Sequence, residues 1–132
     1  MGNGWTSLSV VHILLATDAD WVVDEVSAAL GGPDTTIVVC RDGRDVSPYV
    51  TQSTPDVAVL DLQSGTMGGM AVAMDLRLDE SSGRLPHVPI LILLDREADV
   101  HLAKRSGADG WLIKPLNPIR LAKAVNDVAK GL

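Results

Sequence analysis

The chain has 132 residues, 46% of them hydrophobic, and sets 11 Lys and Arg against 17 Asp and Glu, for a formal net charge of −6 and a pI near 4.8. That balance opposes binding to DNA or RNA, because affinity for a polyanion depends on Lys and Arg neutralising its phosphates. The length suits one domain with a substantial core, and no apolar run nears the roughly 18 residues that read as a bilayer span, so membrane insertion is not expected.

Residues 1–10 (MGNGWTSLSV) lack a basic stretch and a long apolar segment, so they read as a short tail rather than a secretory signal, and a cytoplasmic location is the default. Residues 11–16 (VHILLA) begin a series of short β-branched runs, apolar on both sides, that continues at 36–40 (TIVVC), 57–60 (VAVL), 89–94 (PILILL) and 110–113 (GWLI). Between them lie helical spacings. Residues 20–30 (DWVVDEVSAAL) stop at Gly31-Gly32-Pro33, with Trp21 and Val22 read as core residues. The stretch 42–52 has the weakest helical pattern, while 67–78 and 96–106 each place apolar residues at helical spacing. The polar insertion 79–84 (DESSGR) reads as a mobile loop. The last helix has the clearest limits: Asn117 to cap it, Pro118 at its first position and Gly131 to end it. Cys40 is the only cysteine, which excludes an internal disulfide and a cysteine metal cluster, and it reads as a small apolar side chain at a strand end.

Strands alternating with helices predict a doubly wound parallel sheet covered on both faces, with right-handed crossovers. In such sheets ligands bind beyond the carboxyl ends of the strands, so the residues that follow each strand carry the functional signal. The first strand leads into Thr17-Asp18-Ala19-Asp20, the third ends on Asp61, and the fifth ends at Lys114-Pro115. If the strands are parallel, an acidic cluster faces an ammonium at one sheet edge. Asp18 and Asp61 could then hold one Mg²⁺, which takes one or two carboxylates beside waters and a substrate phosphate, with Lys114 as a point charge and Asp61 as nucleophile. Asp20 is equally well placed to start the first helix, where a carboxylate suits the macrodipole. His12, His87 and His101 fall on three different elements and read as surface or strand residues.

These residues resemble the response-regulator receiver domain, a flavodoxin-like module phosphorylated on aspartate by histidine kinases. Asp18 matches the second residue of the family's acidic pair, Asp61 the acceptor and Lys114 the lysine before proline, 53 residues beyond the acceptor; Gly69 matches the glycine after the acceptor loop. The resemblance runs from about Val11 to Val128 and divides the chain into a tail, 1–10, and a receiver domain, 11–132. It implies five parallel strands in the order 2-1-3-4-5 with five helices, in three α/β/α layers. It also implies Mg²⁺, held here weakly by Asp18, Asp61 and the Gln63 backbone carbonyl, and a cis Lys114–Pro115 bond.

Several positions depart from the family's pattern. Thr17 stands where the first acidic residue normally does, which removes one carboxylate from the metal site. Leu94 replaces the hydroxyl residue that binds the phosphoryl group, and Asp95 follows it where a small residue is usual. Trp111 takes the place of the switch aromatic and is expected to pack in one fixed position, against the last helix. Ser64-Gly65 replaces Met-Pro, which predicts a more flexible acceptor loop.

The resemblance implies a stand-alone response regulator, not a conventional enzyme. It would accept a phosphoryl group on Asp61 from a sensor histidine kinase or phosphotransfer protein and signal by protein contact. The expected effector surface is residues 96–130, with Lys104, Arg105, Arg120 and Lys123; a homodimer is left open. Thr17 and Leu94 suggest an alternative, a phosphorylation-independent pseudo-receiver acting as an interaction module. A flavin carrier of the same architecture is disfavoured, because Thr17-Asp18-Ala19-Asp20 would repel a phosphate where such proteins cradle one.

Overall fold

Each β-branched run forms a strand and each helical spacing a helix. In the computed structural model, which describes residues 12–131, the strands are β1 (His12–Ala16), β2 (Thr36–Cys40), β3 (Val57–Asp61), β4 (Ile90–Leu94) and β5 (Gly110–Ile113). The helices are α1 (Asp20–Leu30), α2 (Val46–Gln52), α3 (Gly69–Ser81), α4 (Val100–Arg105) and α5 (Pro118–Lys130), with 3₁₀ turns at Gly43–Asp45 and Glu97–Asp99 leading into α2 and α4. All strands pair in parallel in the order β2-β1-β3-β4-β5, the flavodoxin-like arrangement the resemblance implied. The tail 1–10 and Val11 lie outside the described residues.

Two hydrophobic layers follow from the two-residue period of a strand, which sends alternate side chains to opposite faces. In β4, Ile90, Ile92 and Leu94 join a cluster with Val46 and Val50 of α2, Val72, Ala73 and Leu76 of α3, and Ala103 of α4. Leu91 and Leu93 point the other way, onto Val22 and Val26 of α1 and Leu121, Val125 and Val128 of α5. β3 and β4 are buried along their whole length, as expected of central strands covered on both faces. Helix α5 has the limits read from sequence: the Asn117 side chain accepts from the Arg120 N–H at 3.0 Å, Pro118 opens the helix, and Gly131, at φ +78°, ends it.

Four expectations change. The polar insertion is no loop at its start, because Asp79, Glu80 and Ser81 continue α3; Arg84 is then tied back, its N–H donating to the Asp79 carbonyl and its guanidinium lying 3.0 Å from the Asp79 carboxylate. The predicted helix at 96–106 shortens to Val100–Arg105, because its first turn is 3₁₀. Trp21 is not core: Val22 is fully buried, whereas Trp21 is 48% exposed. Trp111 is partly buried with the α2, α3 and α4 layer, 5.4 Å from the Lys104 Nζ, and so lies on the face opposite the last helix. The alternation of β5 decides this, since Leu112 takes the α5 side.

Close approach at Gly43 joins the β2–α2 turn to the loop after β3. Its N–H donates to the Ser64 carbonyl at 2.8 Å, and a Cβ added there would stand 2.0 Å from the Met67 carbonyl oxygen. Gly43→Ala should therefore lower stability by about 1–3 kcal/mol, the usual cost of overpacking a filled site, read as a lower urea midpoint at unchanged slope.

Candidate functional site

The phase of alternation that builds the α1/α5 layer continues past the strand ends and gathers four polar residues. Ile13 and Leu15 face that layer, and Thr17 is next in phase; Val57 and Val59 lead to Asp61, Leu91 and Leu93 to Asp95, and Leu112 to Lys114. Asp61 is the centre, its side chain only 1% exposed. A buried carboxylate is costly unless paired and hydrogen-bonded, and this one is both. The Lys114 Nζ donates to Oδ1 at 2.6 Å, the Gln63 N–H to the same oxygen at 3.2 Å, and the Thr17 hydroxyl to Oδ2 at 2.6 Å. Thr17 is itself fully buried, and its hydroxyl oxygen accepts from the Ala19 N–H at 3.1 Å.

Lys114 also donates to Asp95 Oδ1 at 2.9 Å, and the indole of Trp21 lies 5.5 Å from its Nζ. Burial disfavours the charged ammonium, but hydrogen bonds and charges from Asp61 and Asp95 outweigh it, so the pKa of Lys114 is held above its ordinary value. The Lys114–Pro115 bond is cis.

The opposite phase organises the acceptor loop. Asp18 is exposed, and its Oδ2 accepts from the Gly65 N–H at 2.9 Å. Asp42, beyond β2, accepts from the N–H groups of Arg44 and Thr66 and from the Thr66 hydroxyl at 2.9 Å. Those donors, the Arg44 N–H foremost, hold the Asp42 carboxyl down to about 2 from an ordinary 3.8. Ser64 is buried, with its hydroxyl donating to the Met67 carbonyl at 2.7 Å. The flexible loop expected from Ser64-Gly65 is instead bonded at successive residues, and the left-handed backbone of Gly65, at φ +69°, is what lets it turn beneath Asp42.

Of the residues singled out from sequence, Thr17, Asp61 and Lys114 meet directly, and the exposed Gln63 joins through its backbone. Asp20 begins α1 and pairs with Arg41 at 2.7 Å, away from the cluster. Leu94 is fully buried in the α2, α3 and α4 layer, and Trp111 packs against the same layer. His12 meets the Tyr49 hydroxyl at 2.8 Å and His87 meets Glu80, so neither enters the site. Sequence reasoning missed two contributors. Asp42 could have been found as the first acidic residue after β2 at the functional sheet edge, whereas the place of Trp21 above Lys114 has no local signal.

The resemblance implied Asp18, Asp61 and the Gln63 carbonyl as oxygen donors to a cation. No group of three or more His, Cys, Asp or Glu stands together among the described residues. The set fits Mg²⁺, which keeps several waters and needs only one or two carboxylates, but both carboxylates already accept hydrogen bonds here.

The family model of the response regulator receiver domain matches residues 13–126, and the chain belongs to that family, which takes part in two-component signal transduction. A receiver domain is not a conventional enzyme; receiver domains bind Mg²⁺ in the active site and pair with histidine kinases. The chain is similar to the protein PilH of Pseudomonas aeruginosa, 27% identical over 122 residues that cover 92% of this chain and all of PilH. It spans about half the length, 45 to 49%, of longer curated relatives. Among solved structures, CheY4 of Vibrio cholerae superposes with a TM-score of 0.77 at 26% identity, covering 90% of this chain and 98% of CheY4. The receiver domain of the sensor histidine kinase PA1611 of Pseudomonas aeruginosa, solved with a magnesium ion in its active-site cleft, shares the fold at 20% identity and a TM-score of 0.77, covering 91% of this chain and 98% of its own. No helix among the described residues is long and apolar enough to cross a membrane.

Two outcomes follow from the bonds. Thr17→Val keeps the side-chain shape but strips the hydroxyl from the buried Asp61 Oδ2, and urea unfolding should show a loss of about 1–3 kcal/mol. Asp42 is more acidic folded than unfolded, so it stabilises the fold above its ordinary pKa and ceases to as pH falls through about 2. Asp42→Asn should melt below wild type at neutral pH, and the gap should close as pH falls from 3.8 toward 2.

Proposed function

We propose that this protein is an atypical single-domain response regulator that accepts a phosphoryl group on Asp61 and signals through protein contact. The observation that carries this reading is a fully buried carboxylate at a strand end with the Lys114 ammonium 2.6 Å from it. A structural core has no use for such a pair, since two apolar residues of similar volume serve as well. Phosphoryl transfer needs little covalent chemistry from the protein beyond an aligned nucleophile and positive charge on the transferred group.

In this reading a carboxylate oxygen of Asp61 attacks the phosphorus of a phosphohistidine in line. The new O–P bond forms as the N–P bond breaks, and the imidazole nitrogen keeps the electron pair. The donor is a sensor histidine kinase or a phosphotransfer protein. Lys114 stays in place and balances charge on the equatorial phosphoryl oxygens, and the Gln63 N–H keeps Asp61 oriented. Asp18, Asp61 and the Gln63 carbonyl would hold Mg²⁺, whose charge would offset that of the incoming phosphoryl group; without a carboxylate at Thr17 its affinity is low. The reading puts the protein in the cytoplasm, with the effector at residues 96–130, where Lys104, Arg105, Arg120 and Lys123 supply the cations.

The second reading, a phosphorylation-independent interaction module, is favoured by Leu94. It is sealed into the core, and nothing there can donate the hydrogen bond a phosphoryl group would need to draw the following loop inward.

Intact-mass analysis after acetyl phosphate treatment, with and without Mg²⁺, separates the two. Wild type should gain a single phosphoryl group that requires Mg²⁺ and is absent from Asp61→Asn. An unmodified wild type that is folded and takes up no Mg²⁺ would establish the interaction module instead.

A further inference from the structure

Two of the three donors of Lys114 are already taken. An ammonium has three N–H groups. Here one meets Asp61 at 2.6 Å and one meets Asp95 at 2.9 Å, while the indole of Trp21, its centroid 5.5 Å away, covers a further side, and the lysine side chain is only 12% exposed. Register in the sheet fixes this arrangement. β4 and β5 pair Leu94 with Ile113, and the Lys114 N–H donates to the Leu94 carbonyl at 2.8 Å, so the next residues, Asp95 and Lys114, stand side by side at the edge of the sheet.

The two carboxylates are not equivalent. Asp61 is 1% exposed and held by three donors, whereas Asp95 is 37% exposed and among the described residues bonds to Lys114 alone. Asp95 can therefore swing into water at little cost, and Asp61 cannot. The geometry points to Asp95 as a standing counter-anion: it occupies one Lys114 donor and sets a negative charge beside it, so an anion approaching Asp61 competes with Asp95 for the ammonium. This inference rests on the reading of Asp61 as phospho-acceptor and makes Asp95 a positioning residue that acts through Lys114. Its consequence is a site that small anionic donors enter only at high concentration, because each must compete with Asp95 for Lys114.

Two measurements test it, one of which involves no phosphoryl transfer. In the first, inorganic phosphate is titrated into ¹⁵N-labelled protein, and amide shifts are followed at Gln63, Leu94 and Lys114. Asp95→Asn, which keeps the shape and removes the charge, should bind phosphate about tenfold more tightly than wild type, the scale of one charge-assisted hydrogen bond. Asp95→Glu should stay near wild type. Trp21→Ala should too, because the counter-anion remains. In the second, labelling by acetyl phosphate is measured across donor concentrations, where Asp95→Asn should lower the half-saturating concentration by a similar factor with little change in maximal rate.

Equal phosphate affinity in Asp95→Asn and wild type would overturn the assignment. So would an equal gain in Trp21→Ala, which would make shielding rather than charge the barrier. Tighter phosphate binding in Asp95→Asn with no covalent label on any variant would leave the counter-anion standing and remove the phospho-acceptor reading.

Discussion

A carboxylate without water must be surrounded by donors, and the carboxyl edge of this sheet is arranged around that requirement at Asp61. Desolvating such an ion costs several kcal/mol even after relaxation, so each oxygen needs its own partner. Oδ1 takes Lys114 and the Gln63 N–H, and Oδ2 takes the Thr17 hydroxyl. These three donors come from the segments after β5, β3 and β1, so the pairing of the three strands and the neutralisation of one side chain are mutually dependent. Threonine at position 17 gains a clear physical sense here. It supplies a proton donor to Asp61 where a carboxylate would add a second negative charge.

Strand alternation sorts the loops into two functional layers. Residues in the phase of the α1/α5 face, Thr17, Asp61, Asp95 and Lys114, form the charged centre. Those in the other phase, Asp18 and Asp42, turn toward the acceptor loop and hold Gly65 and Thr66. Asp61 and Asp95 thus sit in the cluster around Lys114, and Asp18 and Asp42 bond the loop beside it. Leu94 belongs by phase to the second face, which is why a leucine there extends the core instead of leaving a hole at the site.

Most of the architecture was legible because it rests on local rules. The short continuous apolar runs VAVL and PILILL, Asn117-Pro118 at a helix start and Gly131 at its end each encode their element within a few residues. Asp61 and Lys114 were legible for a different reason: a parallel sheet places every strand's carboxyl end on one edge, so the topology predicts their meeting. The exposed place of Trp21 above Lys114, the face taken by Trp111, and the bonded acceptor loop were not legible. Each depends on where side chains from distant segments settle, such as Asp42 reaching Thr66 across 24 residues. Ser64-Gly65 looked loose because glycine is permissive in isolation; in the fold, Gly43 beyond β2 and Asp18 beyond β1 bond these two residues and remove that freedom.

The changes at 94 and 95 act in one direction when taken together. A hydroxyl at position 94 would offer the phosphorylated state a hydrogen bond absent from the resting state, and a ligand shifts an equilibrium only through such differential interactions. Leucine offers no such bond, while Asp95 engages Lys114 in this structure. On the reading of Asp61 as phospho-acceptor, both residues therefore favour the unmodified conformation. The surface beyond β4 and β5, with Trp111 held beneath Lys104, rests on core contacts and on that ion pair. A partner that recognises this surface would find it ready-made, and any control by Asp61 would have to act through Lys114, the one group that touches both carboxylates.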